Sequence, residues 1–129
     1  MNTDFTFVRE FLLAVEREET NPPTLLTKDQ LGFSKIPDGI FGRHVTLFGR
    51  SDLLETINQK TENGSHYYPA RLTKAGREFL NDIRDEEIWK RILSIKIDEV
   101  QTISLSVLIA LAQRVVELKK KKDDSEEGT

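Results

Sequence analysis

Lys35, Arg43, Arg50, Lys60, Arg71, Lys74 and Arg77 crowd into the middle of the chain, and the two histidines, His44 and His66, lie among them. Guanidinium and ammonium groups suit one chemistry above others, the holding of phosphate or carboxylate oxygens by charge-assisted hydrogen bonds. His44 could add a hydrogen bond to a base edge or a phosphate, or instead a bond from its helix to a neighbouring hairpin. The stretch Lys28–Arg77 holds eight basic and five acidic residues, whereas the whole chain carries 19 basic and 22 acidic residues and a net charge of −3. A small basic face on an acidic body follows, not the uniformly basic surface of a strong nucleic-acid binder. Asp38, Asp52, Glu55 and Glu62 are interleaved with the basic set, so ordinary solvated charge is the plain competing reading.

Other chemistries find little support. The chain has no cysteine and two histidines, which removes disulfides, thiol catalysis and most zinc sites, and suits a reducing compartment. No serine occupies a nucleophile elbow, and no glycine-rich phosphate loop with its lysine is present. The pairs Glu18-Glu19 and Glu86-Glu87 fall at helix ends, where capping or solvation accounts for them. The expectation is a protein that is not an enzyme and takes no metal or cofactor. A basic leader and an apolar run of membrane-spanning length are both absent from the sequence, so a soluble, cytoplasmic protein without membrane contact is expected.

A chain of 129 residues forms one domain of ordinary size with room for one core. Phe5, Val8, Phe11, Leu12 and Val15 recur at helical spacing, with Thr3 or Asp4 to cap them, and Pro22-Pro23 stops that first helix. "TLL" (Thr24–Leu26) is a candidate short strand. A second helix over about Ile36–Phe48 would bury Ile36, Ile40, His44 or Val45, Leu47 and Phe48, with Ser34 as cap and Pro37 in its first turn. Asp52–Ile57 reads as a strand, Asn63-Gly64 as a hairpin turn, and His66–Leu72 as the returning strand, which Pro69 confines to an edge. Thr73 caps the next helix, whose buried side is Ala75, Phe79, Leu80 and Ile83. Gly76 in its first turn leaves no side chain to collide with the hairpin. Asp85 caps a further helix with Trp89, Ile92 and Leu93 on its apolar face.

The last helix, about Ile103–Lys122, is apolar on two sides. Leu105, Leu108, Ile109, Ala112 and Val116 form one stripe; Ile103, Val107, Leu111 and Leu118 form another, nearly opposite. The first stripe would cover the core. The second would then meet a second copy of the chain, making Ile103, Val107, Leu111 and Leu118 a dimer interface.

Helix, helix, hairpin and helix is the order of a winged helix. The expected class is therefore α+β, mainly helical: a winged-helix-like body over residues 1–84 with a two-stranded wing, an extension of two helices over 85–122, and a disordered acidic tail over 123–129. The residues also resemble a family carried mainly by phages and prophages, domain-of-unknown-function family 2513. The resemblance runs from about Asp4 to Lys122 through "VREFLLAVE", "GFS", "GIFGRHVTLF" and "PARLTKAGREFLNDIRDEEIWKRI". In the last block Pro69, Arg71, Leu72, Thr73, Gly76, Phe79, Leu80, Ile83, Arg84 and Trp89 match together. Ser51-Asp52 stands where relatives tend to have a glycine before the strand. The resemblance implies a winged-helix-like body and a phage setting, and it carries no activity to individual residues.

Two functions fit. The first is a protein-interaction module that docks on a host protein in regulation or counter-defence, self-associating through the last helix. The alternative is a regulator that binds double-stranded DNA through Lys35, Arg43, His44, Arg50, Lys60, Arg71 and Lys74. Arg43 would then enter the major groove on the second helix and Lys60 would reach the minor groove from the wing tip. Lys74 would use a helix N-terminus. Asn and Gln, the usual readers of adenine, are missing from that second helix.

Overall fold

The computed structural model describes the backbone of residues 5–99 and 105–127 and the side chains of residues 7–95 and 105–122. Along the chain run α1 (Phe5–Glu18), α2 (Asp38–Arg50), β1 (Leu54–Thr61), β2 (Gly64–Leu72), α3 (Lys74–Arg84), α4 (Glu86–Glu99) and α5 (Leu105–Glu127). The class is α+β and mainly helical, with one antiparallel two-stranded sheet among the described residues. The chain divides into two compact units, Glu10–Arg77 and Met1–Arg9 with Glu78–Thr129. These boundaries fall inside α1 and α3, whereas the sequence suggested a cut after residue 84.

Glu10–Arg77 has an aromatic centre. The ring of Phe11 stacks on Phe33 at 6.0 Å and meets Phe41 at 5.7 Å and Phe48 at 4.8 Å in tilted pairs. Such pairs add about 0.5–1.5 kcal/mol each beyond the area they bury. From α2 the buried side chains are Phe41, His44, Val45 and Phe48, an i, i+3, i+4, i+7 stripe. Ile40, assigned to the core from sequence, is 39% exposed instead. It lies about 100° round the helix from Phe41, beyond the margin of that stripe. Pro37 occupies the cap position with ψ 143° and makes no side-chain cap bond, so neither Ser34 nor a helical Pro37 sets the register.

The far end of α2 closes in a Schellman arrangement. Leu53 N–H donates to the Phe48 carbonyl at 3.0 Å and Asp52 N–H to that of Gly49 at 3.2 Å, with Asp52 at φ 60°. Glycine normally takes this left-handed position, so Asp52 preserves the turn and bears its strain. The hairpin then pairs from Leu54↔Leu72 to Thr61↔Gly64, with an irregularity between Glu55 and Thr56 that leaves Ala70 as the extra residue of a bulge. Both strands run closer to the tip than expected, and Gly64, at φ 120°, opens the return. "TLL" is not a strand, but Leu26 N–H donates to the Pro69 carbonyl at 2.8 Å.

Thr73 joins hairpin to helix. Its hydroxyl accepts the Gly76 N–H at 2.9 Å, the expected cap, and donates to the Asp52 carbonyl at 2.6 Å. Its N–H donates to the Leu53 carbonyl at 3.1 Å. Glu19, expected to be merely solvated, accepts the Leu72 N–H at 3.2 Å and the Arg77 guanidinium at 2.7 Å.

In the other unit Phe79, Leu80, Ile83, Trp89 and Ile92 are buried as the two helical stripes required, Ile88 is buried without having been expected, and Leu93 is only half-buried. Ala75, by contrast, is exposed. Asp85 caps α4 by accepting the N–H groups of Glu87 at 2.8 Å and Ile88 at 3.2 Å. Lys119 of α5 reaches Asp85 at 2.9 Å and Glu87 at 3.3 Å, and its hydrogen bond holds the Asp85 carboxyl below the usual range. Arg9 donates to the carbonyls of Ile83 and Arg84 at 2.9 Å each, closing the α3 terminus, and sits 5.7 Å from the Trp89 ring. On α5 the buried residues are Leu105, Leu108, Ala112 and Val115. Val115 replaces Val116 in the inner stripe. Val107 and Leu118 are 51% and 45% exposed, and Leu111 is half-buried; Ile103 lies outside the described residues. The helix continues to Glu127, through most of the segment assigned from sequence to a disordered tail.

Two substitutions test the junction. A Cβ on Gly76 would stand 2.0 Å from the Leu53 carbonyl oxygen, a backbone atom that cannot rotate away. Gly76→Ala should therefore lower the unfolding free energy by about 3 kcal/mol in urea titrations, and a loss below about 1 kcal/mol would refute so tight an approach. Asp52→Gly should raise it by about 0.5–1 kcal/mol, the relief of a left-handed residue less glycine's extra chain entropy; a loss would mean that the Asp52 side chain matters more than its φ.

Candidate functional site

The exposed side of α2 repeats at the same spacing as its buried side, one step round. Arg43, Thr46, Leu47 and Arg50 fall at i, i+3, i+4 and i+7 and form one wall of an open groove of about 650 Å³. Ser65, His66, Tyr67 and Tyr68 of β2 line it as well. Tyr67 is 50% exposed, and Phe41 contributes an aromatic surface at the base. Arg43 and Arg50 stand two helical turns apart, about 10.5 Å along the axis.

Lys28 and Asp38 close one end of this groove. The Lys28 ammonium donates to the Asp38 carboxylate at 2.6 Å and to the Ile36 carbonyl at 2.7 Å. That hydrogen bond, with the charge behind it, holds Asp38 below the usual carboxylate range. The pair cancels, and Arg50, which has no ion pair among the described residues, leaves a positive charge in the lining.

A second, smaller cleft of about 310 Å³ is lined by Glu55, Arg71, Leu72, Thr73, Lys74 and Arg77. Its arginines are engaged. Arg71 binds Glu55 through its guanidinium, which lowers the Glu55 carboxyl and raises Arg71 further. Arg77 is held by Glu19 and likewise raised. Lys74 has no ion pair among the described residues.

The seven residues proposed from sequence as DNA contacts line the groove, the cleft or neither. Arg43 and Arg50 share the groove, Arg71 and Lys74 share the cleft, and Lys35 and Lys60 are exposed outside both. Lys60 faces Ser65 across the hairpin register. His44 stands apart from all of them, 6% exposed. Its Nδ1 lies 2.8 Å from the Ile40 carbonyl oxygen, so this nitrogen carries the proton and bonds back along its own helix. Sequence reasoning missed Thr46, Ser65, His66, Tyr67 and Tyr68. A signal existed in the consecutive tyrosines of "HYYP", where strand alternation must leave one ring outside.

Over residues 2–104 the chain matches a family described as "Hypothetical protein (DUF2513)". It is similar to an uncharacterized protein of Haemophilus influenzae, 23% identical over 116 residues that cover 90% of this chain and 96% of that protein. No solved structure matches it. No helix among the described residues is long and apolar enough to cross a membrane.

Proposed function

The chain belongs to the DUF2513 family, and from its groove we propose a non-enzymatic protein-interaction module built on a winged helix. Its partner is a protein of the bacterial host, met in the cytoplasm, in the phage setting that the family resemblance implies, and the outcome is regulation or counter-defence. The winged-helix reading is supported by the order α1, α2, hairpin, α3 and by the Leu26 contact that lays a third segment beside β2.

One observation carries the interaction reading: two arginines, two tyrosines and Phe41 line one groove. Arginine and tyrosine dominate the binding energy of protein interfaces because each offers large contact area with few rotamers and a polar end. The volume suits several side chains of a partner. A net charge of −3 works against a polyanion as principal partner. Arg43→Glu with Arg50→Glu should abolish specific capture of host proteins in pull-downs from bacterial lysate, with the fold kept by circular dichroism. Capture that survives both reversals would move the docking surface elsewhere.

DNA binding is the second reading, favoured by the exposure of Arg43, Arg50 and Lys60 on α2 and the hairpin. It would show as a gel shift on mixed duplex DNA whose salt slope falls when Arg43 and Lys60 are reversed, since each lost phosphate contact releases about one counterion fewer.

Self-association through α5 accompanies the first reading and is supported by the exposure of Val107 and Leu118. Light scattering at tens of micromolar should give a dimer that Val107→Glu with Leu111→Glu dissociates. A wild-type monomer would end this part of the proposal.

A further inference from the structure

β2 has one edge against β1 and another that is only partly covered. At the covered end Leu26 N–H donates to the Pro69 carbonyl at 2.8 Å, so that carbonyl points away from β1. In an antiparallel pair, successive residues turn their N–H and C=O groups alternately toward the partner strand and away from it. Counting back from Pro69, the backbone groups of Tyr67 and Ser65 point outward too. The bulge lies on the other side of Pro69 and does not disturb this alternation. Among the described residues, no backbone hydrogen bond from outside the hairpin reaches Ser65 or Tyr67.

Open strand edges are normally blunted by charged side chains, proline or a bulge, and β2 has the last two only at its Pro69–Ala70 end. β1 carries Glu55 and Lys60, but β2 from Gly64 to Ala70 carries no acidic residue, lysine or arginine. Ser65, His66, Tyr67 and Tyr68 of this strand line the groove together with Arg43 and Arg50. Lys28, two residues beyond Leu26, lines the same groove, so the segment already lying on the edge leads into it.

We propose that the free edge of β2 at Ser65 and Tyr67 takes an extended acidic peptide segment of a partner protein as an added strand. Backbone N–H and C=O groups of Ser65 and Tyr67 pair with the peptide backbone. Arg50 takes a carboxylate of the peptide, and the exposed Tyr67 ring covers its apolar side chains. The acidic character follows from charge complementarity, since Asp38 in the lining is already neutralised by Lys28. This inference rests on the interaction reading and specifies its ligand.

The probe is a short, end-blocked, fluorescent peptide of alternating valine and glutamate. It should bind the full chain, and binding should protect the Ser65 and Tyr67 amides from hydrogen exchange. N-methylation of the peptide at alternate residues should weaken it at least about fivefold, as should Tyr67→Pro, because either removes edge hydrogen bonds. Tyr67→Pro deletes an outward N–H and leaves the bonds to β1 in place. If that variant misfolds, amide protection in the wild type and the N-methylated peptide decide the matter alone. Substituting lysine for glutamate in the peptide, or Arg50→Glu in the protein, should weaken binding similarly.

Any of four results overturns the proposal. They are a Kd weaker than about 1 mM, binding indifferent to N-methylation, binding that leaves both amides unprotected, and protection produced by duplex DNA or by raised protein concentration without peptide. Lysate capture that Arg43→Glu with Arg50→Glu abolishes would then leave the interaction reading standing while strand addition falls. Loss of both would remove the two together.

Discussion

The carbonyl of Leu53 lies so close to the backbone at Gly76 that no side chain fits between them. Within Glu10–Arg77 much else follows from this approach. Thr73 can cap α3 only because its hydroxyl reaches both Gly76 N–H and the Asp52 carbonyl, and it reaches both only because the turn after α2 is left-handed at Asp52. The two ends of the hairpin are thereby tied at one point, and the tie sets how β2 lies against α2. Glu19 strengthens the same corner by accepting from Leu72 and Arg77. The groove is a by-product of that corner. Its walls are separate elements held at a fixed spacing by backbone contacts that no groove residue makes.

Carboxylate partners decide which basic residues remain available. Arg71, Arg77 and Lys28 are each engaged by an acidic side chain, and in these pairs the acid lies far away in sequence or on another element. A count of charges along the chain cannot make this distinction. The interleaved acids that made the basic stretch look merely solvated do neutralise part of it, but they do so selectively. Asp38 silences Lys28 and Glu55 silences Arg71, while Arg50 and Lys60 are left without an ion pair among the described residues.

Legibility followed the range of the forces involved. Val8, Phe11, Leu12 and Val15 were readable as a buried stripe because helical periodicity is local, and they are buried. The Thr73 cap and the unoccupied Cβ position of Gly76 were readable for the same reason. On α2 Phe48 and the His44–Val45 pair were placed inside rightly, but Ile40 was placed inside and Phe41 overlooked, because apolar residues lie all round that helix and spacing alone does not choose the buried arc. The groove itself was illegible. It depends on Arg43 and Arg50 meeting Tyr67 and Tyr68 across a gap in sequence that no periodicity bridges. His44, read from sequence both as a ligand contact and as a candidate for the buried face, is 6% exposed and bonds back to Ile40.

The aromatic residues are distributed so that each unit has its own optical signature. Trp89, the one tryptophan in the sequence, belongs with Glu78–Thr129, while Tyr67 and Tyr68, the two tyrosines, belong to Glu10–Arg77. The indole is 5% exposed beneath the Arg9 guanidinium, so its emission is blue-shifted and stays so until the packing around Trp89 opens. The half-exposed phenol of Tyr67 absorbs and emits from the groove wall. Light at two wavelengths therefore distinguishes loosening around α4 from events at the β2 edge, and the native chain needs no label to report which has occurred.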